Sequence, residues 1–160
     1  MIELPDGPLV SSDWLAEHLG DPQVRIVDMR GKVLPPTDPK PHYFARPEDY
    51  AAGHIPGAVY VDWTRDIVDL DDPVPAQVAP PAQIAALCSR LGIGDGTIVV
   101  AYDDWYAMFA GRLLWVLRYY GHERVRVLDG GLLKWQAEGR PLSGAQPAVA
   151  PAVFTPRTQP

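Results

Sequence analysis

The stretch that decides the fold is IVVAYDDWYAMFAGRLLWVLRYYG, residues 98–121. Ile98 to Tyr102 is a short apolar run of the kind that forms a strand buried on both faces. Ala107 to Tyr120 is a longer apolar run that reads as a helix, and Gly121 closes it. Between them lies the loop Asp103-Asp104-Trp105-Tyr106-Ala107-Met108. Ligands of parallel sheets bind outside the carboxyl ends of the strands, so this loop is where a site is expected. It offers two aspartates and no cysteine. The helix is apolar nearly all round, which predicts a buried helix with Met108 and Trp115 in the core. Each fully buried side chain there is worth about 1.5–3 kcal/mol. Arg112 and Arg118 must then reach the helix ends, water or a carboxylate.

Working outward, the same alternation continues. Ser11-Ser12-Asp13 caps a short helix over WLAEHL, and Val24 to Asp28 reads as a strand. Gly31 to Arg46 is a long proline-bearing excursion that Tyr43 and Phe44 can anchor. A short helix starts at Arg46-Pro47 and stops at Gly53, and Ala58 to Val61 is a short strand. Residues 66–80 form an acidic, proline-rich loop. Pro81 to about Gly92 is a helix, Arg124 to Leu128 a strand, and Leu132 to Glu138 a final helix. Strands alternating with helices predict an α/β fold: a central, mostly parallel sheet with helices on both faces. Residues 1–141 are expected to be one domain, and 142–160 a Pro/Ala-rich linker or tail.

The bulk numbers narrow the function. The chain has 160 residues, 47% of them apolar and 21% charged, an ordinary globular balance. Its net charge of −6 argues against nucleic acid or an anionic membrane as a general partner. The single cysteine, Cys88, excludes an internal disulfide and a cysteine-cluster metal site. His18, His42, Asp38 and Asp49 have no metal-ligand spacing, and no cofactor motif is present: no P-loop, no G-x-G-x-x-G and no G-x-S-x-G. No stretch is apolar and long enough to span a bilayer, and the start has no signal-peptide pattern, so a cytoplasmic location is expected.

Several short motifs invite either a chemical or a structural role. In Gly53-His54-Ile55-Pro56-Gly57-Ala58, Gly57 suggests a backbone angle that other residues resist. His54 is read as tying the turn together rather than as a general base. Asp28 and Arg30 end a core strand, and Asp28 is read as a cap for nearby backbone N–H groups rather than a substrate ligand. In Leu128-Asp129-Gly130-Gly131, Asp129 can accept from the first turn of the next helix. Two glycines are weak grounds for a phosphate cradle, and Trp135 is read as core or as a lid over the turn. Cys88 sits within a helix, away from any strand end, and is read as a buried, inert thiol.

VDMR, GHIPGA, IVVAY before a loop and long helix, and GHERVRVLDGGLLKW, in that order, resemble the rhodanese family. The likeness runs from about Val10 to Pro141. It implies a three-layer α/β/α fold and sulfane-sulfur transfer from thiosulfate or mercaptopyruvate. In active members a cysteine directly after the strand becomes a persulfide within a ring of backbone N–H groups. Here Asp103 or Asp104 takes that place, and a carboxylate cannot form a persulfide. The proline-rich segments and the tail are similar to the N-terminal half of two-domain thiosulfate or 3-mercaptopyruvate sulfurtransferases. The resemblance therefore implies a chain that is catalytically inactive alone. It would pack against a second, catalytic rhodanese-like domain and wall one side of its pocket. Such a half should expose an apolar patch. A free-standing binding module using the 103–108 loop should instead show a closed polar surface and a tail that folds back or is disordered. Catalysis by an aspartate, as in phosphoryl transfer, is the third reading, and no metal-binding carboxylate set supports it.

Overall fold

A computed structural model describes residues 2–159. Its main sheet is built from β1 (Leu9–Val10), β2 (Val24–Asp28), β5 (Val59–Tyr60), β6 (Ile98–Tyr102) and β7 (Val125–Leu128), in the order β1-β7-β6-β2-β5. Every pairing in it is parallel. The helices are α1 (Ser12–Glu17), α2 (Pro47–Ala52), α3 (Pro81–Leu91), α4 (Met108–Tyr119) and α5 (Gly131–Ala137).

The period of two along each strand splits the core into two halves. From β6, Val99 and Ala101 enter one cluster with Val27 of β2, Leu87 and Cys88 of α3, and Phe109, Leu113 and Leu117 of α4. Ile98, Val100 and Tyr102 enter the other with Val24 and Ile26 of β2, Leu15 of α1, Tyr50 of α2, and Leu132 and Trp135 of α5. This is the three-layer α/β/α arrangement, and it sets the carboxyl ends of β2 and β6 side by side, Asp28 opposite Tyr102. Among the described residues no helix is long and apolar enough to cross a membrane.

Several elements differ from the expectation. The excursion after β2 contains an antiparallel ribbon, β3 (Gly31–Val33) with β4 (Tyr43–Ala45), that brings Gly31 opposite Ala45. A Cβ on Gly31 would lie 2.2 Å from Nε1 of Trp63, so only glycine lets that indole close over the ribbon. Met108 and Trp115, read as core, are 51% and 47% exposed. Helix α4 covers the sheet with one side only, and its outer side carries the apolar Trp115 beneath the guanidinium of Arg112, 4.8 Å from the ring centre. Arg112 also donates to the carbonyl of Ala76.

The segment after Pro141 runs back along the domain as a strap. Ser143 and His54 exchange backbone hydrogen bonds of 2.9 and 2.7 Å. Further on, Ala152 N donates to Ser89 O, Asp95 N to Val153 O, Arg157 N to Tyr120 O and Gln159 N to Tyr119 O. Between these ties Phe154 enters the core cluster under α3 and α4, 5% exposed, with its ring 5.5 Å from that of His122.

Two outcomes follow for stability. Phe154→Ala should cost about 3–5 kcal/mol, read as a lowered denaturant midpoint at unchanged slope. His122 is buried, and burial holds its imidazole below the usual value of 6.5. The unfolded chain therefore takes up the proton first as the pH falls below about 6.5. The stability that neutral His122 contributes is present above that pH and is lost as the pH falls toward the folded value. Thermal melts between pH 8 and pH 5 should show this drop, and His122→Gln should flatten it; an unchanged slope would remove His122 as the cause.

Candidate functional site

The loop between β6 and α4 stands at the carboxyl end of the sheet, as strand-to-helix loops of parallel sheets must. Asp103 follows Tyr102 directly and is 2% exposed. Its Oδ1 accepts from the backbone N–H of Trp105 at 2.8 Å and of Ala107 at 3.0 Å. Its Oδ2 accepts from Phe109 at 2.9 Å and Ala110 at 2.8 Å, in the first turn of α4. A carboxylate out of water needs such donors, and a helix N-terminus has free N–H groups to give. The carboxylate thus fills the ring of inward-pointing amides itself.

Asp104 turns the other way. Its Oδ1 accepts from Nη1 of Arg46 at 2.6 Å, while Nε of the same arginine reaches Asp49 at 2.6 Å. The hydrogen bond it donates to Asp104, opposed by burial and aided by Asp49, leaves the Arg46 guanidinium more strongly held in its charged form than usual. The pair links the loop to the start of α2. Arg46 was not singled out from the sequence; its place just before Pro47-Glu48-Asp49 was the available signal.

Below the loop lies a buried polar network. Arg30 donates to both oxygens of Asp28 through Nε, at 3.2 and 3.0 Å, and to Oδ2 through Nη2 at 2.8 Å. The backbone N–H of Arg30 and the hydroxyl of Tyr102 also donate to Asp28, at 3.0 and 2.7 Å. Burial and then the charge of Asp28 push the Tyr102 hydroxyl far above its usual range. Nη2 of Arg30 continues to the carbonyl of Gly53 at 2.7 Å, and Tyr102 Oη accepts from Ile55 N. His54 is fully buried, stacked on Tyr50, with its ring nitrogens each 2.7 Å from the carbonyl oxygens of Tyr50 and Ala145. Gly57 has φ +85°, in the left-handed region. Asp28, Arg30 and His54 are thus spent on one another and on backbone groups. Tyr102 joins them from the end of β6; the sequence reading places it in the strand and assigns it no role in the site.

The LDGG turn serves the same loop. Gly131 has φ +58°, and a Cβ there would lie 2.5 Å from the carbonyl oxygen of Asp103. That carbonyl accepts from Leu132 N at 2.9 Å. The glycine therefore permits a backbone crossing rather than a phosphate cradle. The reading of Asp129 as the cap of α5 does not hold: Asp129 is exposed, and the N-cap, Gly130, makes no side-chain bond. Trp135 is wholly buried, its indole N–H on the carbonyl of Pro141.

Outside the ring of amides the surface is apolar. Leu9, Tyr106 and Leu133, 46%, 92% and 59% exposed, line a groove of about 490 Å³ with Ala107, Asp104 and Asp129. Trp105 and Met108 are half exposed beside it. Cys88 lies elsewhere, in the α3 core layer, and burial pushes its thiol up to about 12. Among the described residues no cluster of three or more His, Cys, Asp or Glu could hold a metal ion.

Residues 11–138 match the family model described as Rhodanese-like domain. The chain is 40% identical over 149 residues to the sulfur carrier protein TtuD of Thermus thermophilus, covering 91% of this chain and 45% of that protein. It is 35% identical over 129 residues to the 3-mercaptopyruvate sulfurtransferase of Escherichia coli, covering 81% of this chain and 44% of that one. The crystal structure of SseA from Escherichia coli, described as having the "Rhodanese" fold of 3-mercaptopyruvate sulfotransferases, aligns with a TM-score of 0.82 at 32% identity. That alignment covers 95% of this chain and 56% of SseA. The chain spans about half the length of the curated relatives it matches.

The burial of Cys88 has a direct readout. In the native protein at pH 8 the thiol should react with an aromatic disulfide reagent at least about a hundredfold more slowly than in denaturant. Rapid native labelling would move Cys88 out of the core and reopen it as a nucleophile.

Proposed function

The chain belongs to the rhodanese-like family, and from that premise we propose that it is the non-catalytic half of a two-domain sulfurtransferase. In sulfane-sulfur transfer a thiolate attacks the outer sulfur of thiosulfate, the S–S bond breaks, sulfite leaves, and a persulfide remains for cyanide or another thiol to attack. The step needs a soft nucleophile held among donors that spread its charge. Asp103 stands in the nucleophile's place with a hard oxygen anion, and its four amide bonds leave those donors no room for a second anion.

The observation that carries the reading is this self-filled ring. The lone thiol supports it from the other side, being sealed between α3 and the sheet. The share of the relatives' length that this chain spans supports a partner half of similar fold. The groove of Leu9, Tyr106 and Leu133, with Trp105 and Met108 beside it, is the kind of apolar surface a docking domain covers. On this reading Trp105 and Tyr106 wall one side of the partner's pocket. The folded-back strap favours a second reading, a free-standing binding module acting through the same loop. The apolar groove weighs against it, since a module that works alone should close that face with polar groups.

With thiosulfate and cyanide, this chain alone should form thiocyanate no faster than buffer. Turnover abolished by Cys88→Ser would return catalysis to the thiol. Turnover that survives Cys88→Ser and is lost in Asp103→Asn would make the carboxylate a reacting group. Either result ends the proposal.

A further inference from the structure

The two aspartates of the loop do different work, and the division points to a role for Asp103 beyond being the residue that replaced a nucleophile. Tyr106 and Ala107 have φ values of +53° and +62°, two consecutive left-handed residues with no glycine between them. L-residues resist that conformation, so surrounding bonds must hold it. Oδ1 of Asp103 grips the N–H groups of Trp105 and Ala107, the residues on either side of Tyr106. Oδ2 grips Phe109 and Ala110, which fixes the start of α4 just beyond. The residue so bracketed carries the most exposed large ring of the described surface, 92% exposed, in edge contact with Trp105 at 5.5 Å. A backbone bond from Met108 N to Trp105 O, 3.0 Å, also closes the turn across Tyr106 and Ala107, and no other side chain of the loop adds to it. Asp104 is turned to Arg46, and Ala107, the N-cap of α4, offers no side-chain bond.

We propose that Asp103 is a positioning residue, whose carboxylate holds Tyr106 in its left-handed turn and so presents the phenol ring at the face where a partner half docks. The part of this that concerns docking rests on the two-domain reading above; the part that concerns the loop does not. The chemistry asks for a carboxylate. An amide of the same shape keeps one acceptor oxygen but turns an NH2 group toward two backbone donors, so Asp103→Asn should lose two of the four bonds. A glutamate would place its oxygens one methylene too deep for the ring.

Two measurements decide it. In this chain, backbone relaxation and amide exchange are compared between the parent and Asp103→Asn, with Asp103→Ser as the second variant should the first fail to fold. Expected are at least about tenfold faster exchange at two of the amides of residues 105, 107, 109 and 110, and an order parameter for Tyr106 falling below about 0.6, with the Trp135 indole signal unmoved. A Tyr106 that stays rigid in the variant overturns the proposal. So does a loss of order that spreads equally to Trp135, because Asp103 would then act on the whole fold. In the two-domain protein, sulfur transfer is measured for Asp103→Asn, Tyr106→Ala and the double variant. If Asp103 acts through Tyr106, the double variant is no slower than Tyr106→Ala alone. Effects that multiply overturn the positioning role. A harmless Tyr106→Ala sinks the pocket-wall reading, while the relaxation measurement still judges Asp103.

Discussion

A carboxylate sealed from water must be surrounded by donors, and this requirement organises the whole carboxyl end of the sheet. Asp28 ends β2 and Asp103 directly follows the adjacent β6, and both are almost without solvent contact. They are satisfied by different means. Asp28 is held by a guanidinium and a phenol, and Asp103 by backbone amides. The first solution draws in distant chain: Arg30 carries the bond on to Gly53, and Tyr102 to Ile55, so the GHIPGA turn is fastened to the strand ends. Breaking a buried pair of this kind by removing one partner costs about 3–5 kcal/mol, far more than its net contribution when intact. The second solution stays local: the four amides converge on Asp103 where the chain turns left-handed at residues 106 and 107.

The fold was legible in the sequence because its signals are periodic. The strand-helix rhythm predicts a parallel sheet, and the continuous apolar run Ile98–Tyr102 predicts a strand buried on both faces, as its split between the two core clusters bears out. The features that escaped have no period. β1 has two residues, too few to show alternation, and the β3–β4 ribbon is hidden among prolines. Phe154 is one aromatic in an aperiodic segment, yet it is buried because the strap is tied to the domain on both sides of it. Trp115 was misplaced for the opposite reason. An apolar circumference predicts burial all round, but an outer-layer helix has only one neighbour, and Arg112 over the indole makes the exposed ring tolerable.

The candidate site was legible in type and not in arrangement. That the 103–108 loop holds carboxylates and lacks a cysteine is plain from the letters. Which aspartate fills the ring depends on where the strand ends, to within one residue, and sequence reasoning is weakest at such boundaries. In the structure Asp103, the first residue past β6, takes the amides, and Asp104 pairs with Arg46. Likewise the second glycine of LDGG is required by the carbonyl of Asp103 crossing beneath it, a contact between residues 28 positions apart in the chain that no local pattern announces.

On the proposed two-domain reading, the filled ring limits how this chain serves catalysis. A ring of amides can stabilise one negative group at a time. Once an internal carboxylate occupies it, the loop has nothing to offer an external anion, and any contribution to a neighbouring pocket must come from shape. The exposed surface is consistent with that exchange: Leu9, Tyr106 and Leu133 supply apolar area where an active loop would supply charge stabilisation. On the proposed reading the carboxylate is what makes the exchange possible, since the same four bonds that close the anion site hold the tyrosine outward. Losing the nucleophile and gaining a rigid wall are then a single structural event at one residue.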